Sequence, residues 1–147
     1  MRAVVCNTFD GINALTCVDD APNPPMVDGG VRIRVAAAGI NFADTLMCKG
    51  QYQVKPPFPF SPGLEVAGEV LEVAPGVTRV KPGDRVMATV HYGGYASEAV
   101  TDEATVYTSP SRGPMMYKYP KNTVEPTVWP LWQDGSPRKP EITRFTW

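Results

Sequence analysis

The stretch "VRIRVAAAGINFADTLMCKGQY", residues 31–52, carries two different patterns back to back. Its first half alternates: Val31, Ile33, Val35 and Ala37 fall on one side, Arg32 and Arg34 on the other. Successive side chains of a strand point to opposite faces, so this pattern predicts a half-buried β-strand. The second half, "NFADTLMCKG", reads as a short helix. Asn41 is a good N-cap, Asp44 follows three residues later where a carboxylate suits the positive helix end, and Gly50 suits the C′ position. A turn that opens a helix with polar residues at its mouth is a way of presenting groups to a ligand.

Outward from this stretch the chain reads as short strands. "RAVVC" and "LTCV" are β-rich runs, while the prolines and glycines of "APNPPMVDGG" exclude regular structure. "KPPFPFSPG" is an extended loop. "LEVAGEVLEVA" is a long strand in which Gly68 permits a bulge or a close backbone approach. "PGVTRVKPGD" holds two Pro-Gly turns, and "RVMATV", "YASEAV" and "ATVYT" are three more strands. Short strands separated by turns every roughly 8–12 residues predict a small barrel or sandwich.

The pattern fails at Ser109. Seven of the 16 prolines and all three tryptophans lie between Pro110 and Trp147, and prolines this frequent remove donors and block helix. Residues 1–110 carry 8 basic and 12 acidic side chains, residues 111–147 carry 6 and 3. The expectation is a mainly β domain over 1–108 and an irregular Pro/Trp-rich tail over 109–147. Within that tail "EITRFTW" is the one candidate strand, and Trp129, Leu131 and Trp132 could dock on another surface.

Composition narrows the function. The 147 residues are 43% hydrophobic and 20% charged with net charge −1. No basic stripe points to nucleic acid. No apolar run approaches the roughly 18–20 residues of a membrane span. The N-terminus "MRAVVCNTFDG" is a poor signal peptide. Cys6, Cys17 and Cys48 are odd in number and lack CxxC spacing, which predicts reduced thiols in a cytoplasmic protein.

Three segments, "VRIRVAAAGINFADTLMCKGQY", "FPFSPGLEVAGEVLEVAPGVTRVKPGDRVMA" and "GGYASEAV", give residues 1–108 a resemblance to a known family in both order and spacing. They resemble the N-terminal catalytic domain of medium-chain dehydrogenases/reductases, in the zinc-independent NADPH:quinone oxidoreductase branch. The resemblance implies a GroES-like β-barrel with one or two short helices. It also implies a Rossmann domain to follow, with NADPH in the cleft between them and a quinone or enone as substrate. In zinc-dependent relatives a cysteine ligand stands at the position of Asn41 and a histidine at that of Leu64. Neither residue here ligates zinc, so no zinc is expected.

The hydride then comes from the cofactor, while the protein orients it and stabilises charge on the acceptor oxygen. Asn41, Tyr52 and Asp44 match family positions in or beside the cleft. Asn41 can donate and accept hydrogen bonds, and Tyr52 offers a phenol and an aromatic face. Each also has a structural reading: Asn41 as a cap, Asp44 as a first-turn carboxylate, Tyr52 as packing. Glu65, which follows the lost histidine, is expected to be an ion-pair partner. Cys48, near the helix end, is expected to keep a raised pKa and to be no nucleophile. Asp84 is expected to be a turn residue.

The sequence contains no GxGxxG, and "DGG" and "YGG" lie in loops between strands. Three readings of the boundary near residue 109 stand side by side: a truncated or frame-shifted reductase, one part of a split enzyme, or a tail that replaces a lost domain. On any of them the chain alone is expected to bind NADPH weakly and to be inactive. The alternative function is a non-catalytic interaction or oligomerisation module, with a homodimer or a separate missing-domain chain as partner.

Overall fold

Residues 1–109, the part of the chain that this computed structural model describes, form seven strands and one α-helix. In chain order they are β1 (Ala3–Cys6), β2 (Leu15–Val18), β3 (Gly30–Ala38), α1 (Phe42–Cys48), β4 (Glu65–Val73), β5 (Arg85–Thr89), β6 (Glu98–Asp102) and β7 (Val106–Thr108). Strands β1 and β2 pair as an antiparallel ribbon. The other five make an antiparallel sheet in the order β6-β3-β4-β5-β7.

Connectivity forces this sheet to curl. β6 and β7 are its two edges, yet only the 3₁₀ turn Glu103–Thr105 joins them. Four interstrand spacings of about 4.8 Å would part the edges of a flat sheet by about 19 Å. The four steps from Asp102 to Val106 reach at most about 14 Å. Thr101 and Thr105 both donate their hydroxyls to the carbonyl of Thr89, at 2.9 and 3.0 Å, tying the curled edge to the end of β5. The result is the expected GroES-like barrel with one α-helix.

The alternation that predicted β3 is what fills this barrel. Val31 and Ile33 are fully buried, and Val70, Val86 and Val106 join them from the facing strands. β-Branched residues hold few rotamers and pack well on a pleated surface, which suits a narrow interior. On the outer side Arg32 meets Glu72 at 3.2 Å and Glu98 at 3.4 Å.

Gly68 shows both features expected of it, with the bulge on the partner strand. Val35 pairs with Gly68 and Ala37 with Ala67, leaving Ala36 as the extra residue of β3. A Cβ on Gly68 would lie 1.9 Å from the Arg34 carbonyl oxygen, so no other residue fits. Both Pro-Gly turns close as expected, with Val77 N–H donating to Ala74 O at 3.3 Å and Asp84 N–H to Lys81 O at 3.1 Å. Asp84 is a turn residue: its Oδ2 accepts from Lys81 N at 3.0 Å.

Two strands begin later than their sequence pattern suggests. β6 starts at Glu98 because Tyr95 and Ser97 turn their backbones to β1: Val4 N–H donates to Tyr95 O and Ser97 N–H to Arg2 O, both at 2.8 Å. β7 starts at Val106, because Asp102 Oδ1 accepts from Ala104 N at 2.7 Å and winds the preceding residues into a turn. The expectations for the tail, including the strand "EITRFTW" and docking by Trp129, Leu131 and Trp132, lie outside the described residues. No helix among the described residues is long and apolar enough to cross a membrane.

Candidate functional site

Strand β3 delivers the chain into α1, and both helix ends are fixed locally. Asn41 is the N-cap, in extended conformation at φ −118° and ψ 152°. Asp44 Oδ2 accepts from Asn41 N at 2.7 Å, the carboxylate half of a capping box. The Asn41 side chain faces the Asp44 N–H but falls short of a cap hydrogen bond, and that N–H donates to the Asn41 backbone carbonyl at 3.1 Å. At the other end Gly50, with φ +66°, donates to Met47 O at 3.0 Å, and Gln51 N–H donates to Leu46 O at 2.8 Å. That is a Schellman closure, and its left-handed C′ residue explains the glycine.

Asp44 is buried and its carboxylate is a hub. Besides Asn41 N, it accepts the Tyr95 hydroxyl at Oδ2, 2.6 Å, and Gly63 N at Oδ1, 3.2 Å. Three chain segments therefore meet on one side chain. Burial, followed by the hydrogen bond to Asp44, raises the Tyr95 phenol far above its ordinary value. Tyr95 therefore stays protonated as a donor.

Beside this hub lies a hollow of about 340 Å³, lined by Tyr52, Gln53, Val54, Leu64, Glu65, Thr89, Val90 and His91. Tyr52 is held from below by packing with Leu64 against the buried cluster of Cys6, Met47, Cys48 and Phe60. Leu64 is held by Val90 N–H, which donates to its carbonyl at 2.9 Å, and Glu65 by Gly39 N–H at 3.0 Å. Of the three residues singled out from sequence, Tyr52 lines the hollow, Asp44 lies buried in the hub, and Asn41 is the N-cap of α1 and is not among the residues that line the hollow.

Asn41 Nδ2 is shut off from solvent and has no hydrogen-bond partner among the described residues. It lies near Glu65: a Cβ on Gly39 would be 2.7 Å from Glu65 Oε2 and 3.7 Å from Asn41 Nδ2. Among the described residues the expected ion pair of Glu65 is not formed. Strand β4 offers its two other glutamates to arginines on the outer face of β3, whereas Glu65, at the start of β4, lines the hollow. Flanking Asn41, Ile40 is 88% and Phe42 77% exposed.

All three cysteines are free. Burial, and then the neighbouring Cys6, pushes the Cys48 thiol up to about 11. The direction matches the sequence reading, but the cause is burial rather than the helix dipole. Among the described residues no group of three or more His, Cys, Asp or Glu side chains could hold a metal ion. With Asn41 and Leu64 at the two family ligand positions, the donor set does not fit zinc.

The profile of the alcohol dehydrogenase GroES-like domain matches residues 27–113. The chain belongs to this family. Within the GroES-like family, it is 44% identical over 109 residues to quinone oxidoreductase-like protein 2 of Rattus norvegicus, covering 74% of this chain and 30% of the relative. Its fold superposes on human synaptic vesicle membrane protein VAT-1 homolog-like protein with TM-score 0.71 at 37% identity, covering 78% of this chain and 37% of that one. It superposes on the Escherichia coli quinone oxidoreductase, solved with NADPH, with TM-score 0.68 at 29% identity, covering 76% and 34%. The chain thus spans about a third of the length of the relatives it matches, and within the superfamily of medium-chain dehydrogenases/reductases it sits among the quinone oxidoreductases.

Sequence reasoning missed Tyr95 as a hub partner and His91 as part of the hollow. "GGYASEAV" held a signal for the first, an aromatic beside two glycines, but its partner lies 51 residues away.

Proposed function

We propose that residues 1–108 form the acceptor side of an NAD(P)H-dependent quinone or enone oxidoreductase that works without zinc, and that residues 109–147 do not belong to that domain. The observation that carries this reading is the hollow beside Leu64 and Tyr52. Where a metal-dependent relative places ligands, this domain has an apolar wall, an aromatic face and an amide. A flat quinone or enone can lie against Tyr52, with Val54, Leu64 and Val90 excluding water from its ring.

NADPH, when bound, supplies the hydride. Among the described residues there is no βαβ unit to seat its phosphates, so the part of the cofactor this domain fits is the nicotinamide end. Asn41 and Tyr52 are the residues for it or for the acceptor carbonyl. A buried Nδ2 with no partner gives up nothing when a ligand oxygen reaches it, and leaving it unpaired costs about 1–3 kcal/mol. Titrating the 147-residue chain with NADPH, followed by nicotinamide fluorescence, tests the division of labour. No binding is expected in the micromolar range; micromolar affinity would overturn it.

A second reading draws on Ile40 and Phe42. Two large apolar side chains so exposed at a helix mouth suit a protein interface, in a homodimer or against a separate domain chain. Light scattering of the full chain and of an Ile40→Ser, Phe42→Ser double variant tests it. A dimer lost in the variant favours the interaction module, and a monomer throughout or a dimer that persists in the variant counts against it.

A further inference from the structure

Strand β4 carries three glutamates and treats one of them differently. Glu69 faces Arg34 at 3.9 Å and Glu72 faces Arg32 at 3.2 Å, both on the outer side of the sheet. Glu65 is half-buried, forms no ion pair or side-chain hydrogen bond among the described residues, and lines the hollow. Its backbone is fixed on both sides, by the Gly39 N–H on its carbonyl and by its register opposite Thr89. Its Oε2 rests over Gly39, where any side chain would collide with it at 2.7 Å. A half-buried carboxylate without a protein donor is hydrated from the hollow, and a ligand hydroxyl can take the place of that water.

The neighbourhood narrows what that donor can be. The rest of the wall combines Val54, Leu64, Val90 and the Tyr52 ring with the polar Gln53, Thr89 and His91, which suits a carbon ring that carries polar substituents. Asn41 Nδ2, a donor without an acceptor, lies close to the same Gly39 edge. A hydroxyl both donates to Glu65 and accepts from a neighbour through a single atom, where an amide needs two. We infer that Glu65 is a specificity-determining residue that favours ring acceptors bearing a hydroxyl group over the same ring without one. This inference rests on the reading of the hollow as the acceptor site.

The test uses the full chain and two saturated ketones that do not alkylate the exposed thiol of Cys17: 4-hydroxycyclohexanone and cyclohexanone. Binding is followed by backbone amide NMR shifts at Tyr52, Leu64, Glu65 and His91. The hydroxyketone is expected to bind about tenfold more tightly, as a hydrogen bond to a charged acceptor provides. The preference should fall to within about twofold in Glu65→Met. Should that variant fail to fold, Glu65→Gln, which keeps the shape and loses the charge, should cut the preference to about threefold or less. Equal binding of the two ketones by the unmodified chain, or a tenfold preference that survives in the variants, overturns the inference and leaves the acceptor site standing. Binding of neither ketone at these residues overturns the acceptor reading and the inference with it.

Discussion

Tyr95 donates its hydroxyl hydrogen to Asp44 Oδ2 across 2.6 Å, joining the helix mouth to a segment 51 residues away. Asp44 takes Asn41 N on the same oxygen and Gly63 N on the other, so this bond completes the junction that sets β3, the loop before Leu64 and the β6 approach against one another. Tyr95→Phe removes one donor from a buried carboxylate and changes little else in volume. It should cost about 2 kcal/mol of stability, the range for hydrogen bonds to charged groups, measured by urea denaturation. Asp44→Ala strands three donors at once and should cost more than Tyr95→Phe.

Alkaline pH should weaken the fold through the same region. Cys48 has its pKa raised from 9.0 to about 11, and Tyr95 is raised as well. The unfolded chain therefore releases these protons at lower pH than the folded one. The Cys48 contribution is fully present below about pH 9 and is lost as pH rises from 9 through 11, and that of Tyr95 begins to be lost above about pH 10. For Cys48 alone the loss is on the order of 2–3 kcal/mol. Urea midpoints measured from pH 7 to 11 should decline over that window, and Cys48→Ala should flatten the slope whatever it does to the stability at pH 7.

Two glycine substitutions separate collision from backbone preference. Gly68→Ala puts a methyl 1.9 Å from the Arg34 carbonyl in the centre of the sheet and should abolish folding or cost more than about 4 kcal/mol. Gly76→Ala meets no atom within 4 Å and suffers only from its φ of +89°, so it should cost about 1 kcal/mol. Thermal melts of the two variants check both values.

Much of this was legible because the deciding forces are local. The β3 alternation, the Asn41–Asp44 pair with Gly50 closing α1, the Pro-Gly turns and the crowding at Gly68 all depend on residues within one element or its immediate partner. The features that were not legible depend on contacts far apart in sequence. Glu65 was expected to find an ion-pair partner, but its position at the β4 start turns it toward the hollow, away from the arginines of β3. Tyr95 reads as a strand residue until β1 draws its backbone aside and its hydroxyl reaches Asp44. His91, the lone histidine, joins the hollow only because β5 ends beside Leu64.

Asn41→Ala distinguishes a ligand group from a helix cap. Among the described residues its side chain makes no cap hydrogen bond, and its buried Nδ2 has no partner. Relief of the unpaired Nδ2 and loss of the capping-box arrangement oppose one another, so stability should fall by less than the about 1 kcal/mol that loss of a working cap costs, or rise. The affinity for duroquinone should fall roughly threefold to tenfold. Paired denaturation and binding measurements on the one variant settle which role dominates.

The central claim is that an acceptor binds in the hollow beside Leu64. Duroquinone, whose methylated ring does not add thiols, should be titrated into the isotope-labelled full chain without NADPH while backbone amide NMR shifts are followed. Saturable shifts should be concentrated at Tyr52, Leu64, Glu65, Val90 and His91. Shifts centred elsewhere, for example on the Phe9–Phe58 ring pair, or no saturable shift at millimolar quinone, would contradict it.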